Sequence, residues 1–161
     1  MRRAAALLLA AATLVAAPVA ADDQREGYYY PAVSSEEAFT RTLVPIDPPA
    51  GRDVRVGFVT TVTKAQLAAP EAPRIAIFAK GGEAEHMIVV ALDDAVFSTL
   101  YRARAVMAQL TANARGSEFF VNAGIEATAT WFDLAKMLGF ETIVLSDGHH
   151  WAHRVVLRPE G

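Results

Sequence analysis

The sequence predicts an α+β domain: a mainly antiparallel sheet of about five strands with two main helices on one face. Three observations carry that prediction. Short β-rich runs gather before and after one long helical stripe instead of alternating with helices, which excludes a doubly wound sheet. The stripe itself, over 96–114, keeps helical spacing throughout. The turn signals Lys80–Gly81–Gly82 and Asp147–Gly148 each join two β-rich runs as a hairpin. The expected order is β-β-β-α-α-β-β.

Size and composition bound the rest. A chain of 161 residues has the length of one domain. An apolar content of 53% against 20% charged residues excludes a disordered chain. The absence of cysteine removes disulfides, thiolate zinc sites, iron–sulfur clusters and cysteine nucleophiles together. Met1–Arg2–Arg3 is a basic start, and residues 4–17 are an apolar run with Leu7, Leu8, Leu9, Leu14 and Val15. Pro18 breaks that run, and Val19–Ala20–Ala21 places small residues before Asp22. This is the order of a secretory signal, with cleavage expected after Ala21. The run is shorter than the roughly 20 residues a spanning helix needs. Export to the periplasm or beyond follows, with no membrane attachment after cleavage. Losing Arg2 and Arg3 takes the net charge from −3 to −5. Such a surface is poorly suited to nucleic acid, whose binding rests on clustered Lys and Arg.

Residues 1–21 are thus read as signal, 22–53 as an N-terminal arm with a Pro-rich linker, and 54–161 as the domain. In the arm, Tyr28–Tyr29–Tyr30 is an aromatic run suited to recognition or to anchoring the arm. Ser34 and Glu37 have capping-box spacing, which predicts a short helix over 35–42. Pro45, Pro48 and Pro49 then forbid helix. Val54 to Thr63 is β-branched and alternating, hence a strand. Arg74–Ala79 and His86–Leu92 are the next two strands. Asp93–Asp94 is placed to start the main helix as cap. Its apolar face is Val96, Leu100, Ala103, Met107, Leu110 and Ala114, and Gly116 ends it. The stretch 117–128 is ambiguous, with Phe119 and Phe120 as core. Thr130 with Asp133 repeats the capping box, opening a helix through Leu138 that Gly139 ends. Glu141–Ser146 and Trp151–Leu157 are the closing hairpin.

Two groups of side chains have chemical potential. Asp147, His149, His150 and His153 form a compact set of nitrogen and oxygen donors suited to a divalent metal ion. The set lacks an HExxH spacing or a distant partner motif, and a plain hairpin tip explains it as well. Arg104 lies about 40° from Leu100 around the main helix, whereas Arg102 lies about 200° away. Arg104 therefore borders the apolar face beside Tyr101 and Arg115. There it is either the partner of a carboxylate or one wall of an anion pocket. Asp93, Asp94 and Asp147 are explained as a helix cap and a turn. Lys80–Gly81–Gly82 lacks phosphate-loop spacing, and Ser146 lacks a G-x-S-x-G elbow.

Five stretches, YYYP, FAKGGEAEHMIVVALDD, LYRARAVMAQLT, TWFDLAKMLGFETIVLSDG and WAHRV, together resemble a family of small exported bacterial proteins. The likeness runs from about Tyr28 to Leu157. These proteins are often labelled molybdopterin-guanine dinucleotide biosynthesis protein A. The label implies nucleotidyl transfer from GTP, or a looser link to molybdenum-cofactor biosynthesis and molybdoenzyme maturation. No stretch here matches the L-A-G-G-x-S-x-R-M-G nucleotide loop of such transferases. The leading expectation is an exported binding or accessory protein without catalytic activity, its partner a protein or small molecule. A metal-binding protein or metal-dependent enzyme centred on His149, His150 and His153 is the alternative.

Overall fold

A computed structural model describes residues 30–41, 50–93, 96–97 and 99–158. Its elements are β1 (Ser35–Phe39), α1 (Arg52–Ala68), β2 (Ile75–Lys80), β3 (His86–Ala91), α2 (Leu100–Arg115), α3 (Glu118–Ala123), α4 (Trp131–Met137), β4 (Thr142–Ser146) and β5 (Ala152–Leu157). The signal, Tyr28, Tyr29, the three prolines of the linker, Asp94 and the Phe119 side chain lie outside the described residues. No helix among the described residues is long and apolar enough to cross a membrane.

The five strands form one sheet in the order β1-β5-β4-β3-β2. The hairpins β2–β3 and β4–β5 are antiparallel, as their short turns require. The sheet as a whole is mixed, however, and not mainly antiparallel. The chain leaves β3, runs through α2, α3 and α4, and re-enters beside β3 in the same direction, which makes β4 its parallel neighbour. The second parallel pair is β1 with β5.

Two stretches adopt the opposite structure to the one their local sequence predicts. Val54–Thr63 belongs to helix α1. Arg55, Phe58, Val59 and Val62 stand at i, i+3, i+4 and i+7, which puts them on one helical face. Phe58, Val59 and Val62 pack on the core, with the Phe58 ring 5.5 Å from Trp131 and 6.5 Å from Phe140. Residues 35–39 are a strand and not a helix. The apparent capping box is overruled by pairing with β5, in which Ser35 faces His153 and Phe39 faces Leu157. The element order is therefore β-α-β-β-α-α-α-β-β. The main helix also begins later than Asp93–Asp94. Thr99 caps it, its hydroxyl accepting from the Arg102 N–H at 3.3 Å.

Alternation along the strands selects the core. Ile75, Ile77, Met87, Val89, Ile143, Leu145, Val155 and Leu157 project from one face of the sheet. Ala103, Met107 and Leu110 of α2, Trp131 and Ala135 of α4, and Phe120 complete the same cluster. The expected capping box of α4 is present: the Thr130 hydroxyl and the Asp133 carboxylate satisfy each other's backbone N–H.

Arg55 ties three separate segments together. It is 6% exposed, and its guanidinium donates only to carbonyls. Nε and Nη2 reach Glu83 O at 3.0 and 2.7 Å, and Nη1 reaches Ala50 O and, at 3.2 Å, Gly139 O. Gly139 closes α4, so a cation stands where helix carbonyls lack partners and the dipole is negative.

Candidate functional site

The pairing of β1 with β5 decides which polar groups meet. Ser35 and His153 are register partners, so their side chains share a face, and Glu37 follows two residues later on that face. It is the core face, and His153 is only 2% exposed. Trp151, two residues before His153, stacks on the imidazole at 6.1 Å and 15°. The ring is thereby fixed in plane.

Each ring nitrogen faces an oxygen. Nδ1 is 2.8 Å from Ser35 Oγ, and Nε2 is 3.3 Å from Glu37 Oε1. An ionised carboxylate only accepts, so Nε2 carries the proton that faces Glu37. In the neutral ring Nδ1 is then the acceptor, and the Ser35 hydroxyl donates to it. The Nε2 contact is close enough for an ion pair but misses hydrogen-bond alignment, leaving Nε2 a buried polar atom without a hydrogen bond. The other oxygen of Glu37, Oε2, receives Arg104 Nη2 at 2.9 Å. Burial pushes the Glu37 carboxyl upward, but Arg104 and His153 beside it outweigh that and hold the group below its ordinary value of 4.5.

Glu37, His153 and Arg104 form one wall of a groove of about 420 Å³ between α2 and the β1–β5 edge, within the size range of small-molecule sites, and Ser35 does not line it. Leu100, Met107, Phe132 and Leu145 make it apolar, while Arg104 and Arg115 stand three turns apart along α2. A second groove, of about 390 Å³, lies elsewhere along α2 beside Arg74 and Gln109, with no buried polar side chain in its lining.

The residues singled out from sequence separate into two places. Arg104 is both the partner of a carboxylate and a wall of the groove. Arg115 lines the same groove while its Nε donates to Ala129 O at 2.9 Å. Tyr101 is 84% exposed and does not line the groove. Asp147 accepts at one oxygen from the backbone N–H groups of His149, His150 and Trp151, at 2.8, 2.8 and 2.9 Å. Its slight burial raises its pKa, and those three donors lower it by more, to below its ordinary value. His149 and His150 are exposed at the hairpin tip, whereas His153 points into the core face of β5. Among the described residues no group of three or more His, Asp or Glu is placed to hold a metal ion. His86 lies apart, bonded through Nδ1 to Thr142 Oγ1 at 2.9 Å.

Ser35 and Glu37 were not legible as site residues, because their local spacing reads as a helix start. Their one available signal is the i, i+2 placement of two polar residues before Phe39, an alternation that a strand would aim at one face.

No family model matches this chain, and no curated protein and no solved structure matches it.

Proposed function

We propose that this chain is an exported binding protein whose groove beside α2 takes a small organic molecule with an apolar body and an acidic head. The observation that carries the reading is the groove of about 420 Å³ itself, in which Leu100, Met107, Phe132 and Leu145 lie beside the cationic Arg104 and Arg115. The apolar floor supports an apolar body, and Arg104 and Arg115 supply cationic ends for the head. Export is supported by the basic, apolar and small-residue succession of Met1 to Ala21, and by the resemblance to exported bacterial proteins.

The test uses anilinonaphthalene sulfonate, a fluorescent apolar anion. Saturable binding at one site is expected. Ala108→Trp, which fills the groove from α2, abolishes it while leaving far-UV circular dichroism unchanged. Unaltered binding by the folded variant would remove the groove from consideration. Intact mass of the protein recovered from the periplasm is expected to begin at Asp22, and a mass that retains the first 21 residues would overturn the export reading.

A further inference from the structure

Beyond binding, we propose that Ser35 is an acyl-accepting nucleophile and His153 its general base, so that the protein hydrolyses carboxylic esters. The geometry has the parts that nucleophilic catalysis by a hydroxyl needs. Ser35 is exposed on edge strand β1. Its Oγ stands 2.8 Å from Nδ1 of the His153 imidazole. That imidazole is buried, stacked on Trp151, and backed at Nε2 by the Glu37 carboxylate. Glu37 is itself held by Arg104 at 2.9 Å, so the carboxylate stays ionised and in place. Serine, histidine and carboxylate thus stand in the order nucleophile, base and orienter, with Glu37 as a positioning residue. The ring is used in the reverse sense from most such arrangements: Nδ1 faces the hydroxyl and Nε2 the acid. The chemistry needs one nitrogen on each side and does not depend on which.

The step balances without any group the protein lacks. Ser35 Oγ forms a bond to the ester carbonyl carbon while its proton passes to Nδ1. The bond to the leaving alkoxide breaks, and that oxygen takes the proton from Nδ1 and departs as alcohol. Water then attacks the acyl-serine, giving one proton to Nδ1. The acyl–Oγ bond breaks, Oγ recovers that proton, and the carboxylic acid leaves. The product is a carboxylate with an apolar chain, the same class of molecule that suits the neighbouring groove. General-base assistance contributes about 10²–10⁴-fold. The expected substrates are therefore esters with good leaving groups, which depend least on further stabilisation of the oxyanion.

The experiment treats the purified protein with a fluorophosphonate, which transfers phosphorus to activated serine hydroxyls, and follows intact mass and peptide mapping. One adduct per chain on Ser35 is expected, together with turnover of 4-nitrophenyl butyrate. Ser35→Ala, an exposed change that leaves folding intact, abolishes both. Ser34→Ala, whose hydroxyl only donates to the Ala152 carbonyl, labels as the parent does. His153→Gln slows labelling at least 100-fold. Glu37→Gln lowers kcat about tenfold with KM unchanged, a split that loss of packing alone would not give. Absence of an adduct on Ser35, or equal turnover by Ser35→Ala, overturns the proposal whether or not the groove binds an apolar anion.

Discussion

Replacing Arg55 by Met is the most demanding test of how this fold is held. The side chain keeps its apolar stem and loses five N–H donors. Four carbonyls, those of Glu83, Ala50, Gly139 and, at 3.5 Å, Leu138, lose a charge-assisted partner at once. Orphaning a buried acceptor costs about 1–3 kcal/mol. Glu83 is exposed and Ala50 is half-buried, so water can reach them; the lower part of that range applies and the sum is about 3–5 kcal/mol. Against a total stability of about 5–15 kcal/mol this is a large share. At roughly 3 °C per kcal/mol for a domain of this size, Tm falls by about 10–15 °C. Arg55→Lys keeps the charge but not the fork, and loses about half as much. Urea and thermal unfolding followed by circular dichroism measure both. Arg154→Met is the comparison, since its ion pair with the half-exposed Glu36 at 3.3 Å is a surface contact expected to contribute less than about 1 kcal/mol. If Arg55→Met destabilises no more than Arg154→Met, the carbonyl cluster does not hold the three segments together.

Gly139→Ala is expected to cost at least about 1–2 kcal/mol, because φ is +79° and the added Cβ would meet Arg55 Nη1 at 2.6 Å and Ala50 O at 2.9 Å. Its cost should shrink in the Arg55→Met background, and a strictly additive double-mutant cycle would count against the contact. Thr130→Ala removes the α4 capping box and should cost about 1 kcal/mol in urea unfolding, with Thr130→Ser close to the parent. Glu37 titrates lower folded than unfolded, so its contribution is present above its ordinary value and is lost as pH falls through the folded value. The Tm gap between the parent and Glu37→Gln should therefore be widest above the carboxyl's ordinary value of 4.5 and narrow as pH falls below it; a gap that widens in acid would reverse the assignment. Asp147→Ala should show the same sign, its gap closing in acid as the three-donor turn is lost.

The hairpins were legible because everything that makes them is local: β-rich runs joined by Gly-containing turns. So was the α4 cap, which Thr130 and Asp133 specify within four residues. What was not legible depends on distant partners. The run from Val54 to Thr63 has strand propensity, but its Arg55, Phe58, Val59 and Val62 answer to Trp131, Phe140 and the carbonyls of Glu83 and Gly139. Tertiary packing overrides propensity there. Thr61 even bonds back to Gly57 O at 2.9 Å, a local accommodation of a β-branched residue in a helix. Ser35–Phe39 fails for the opposite reason: a helix-start pattern is present, yet β5 supplies the pairing. Arg104 was legible as bordering the apolar face, though its carboxylate was not identifiable. His153 drew notice through neighbours that it does not join.

The pairing of Ser35 with His153 joins residues 118 positions apart. Closing a loop of that length costs about 2 kcal/mol more than closing a turn of about ten residues. The two hairpins can therefore form early, and β1 is the natural last arrival. It is five residues long and sits at an edge, so its amides should exchange with solvent sooner than those of β3 or β4. A partly folded chain can already bury Met87, Ile143 and Phe120 while Ser35 and Glu37 are still elsewhere. The groove wall thus matures at the end of folding, and chemistry at Ser35 is withheld from every intermediate that precedes it.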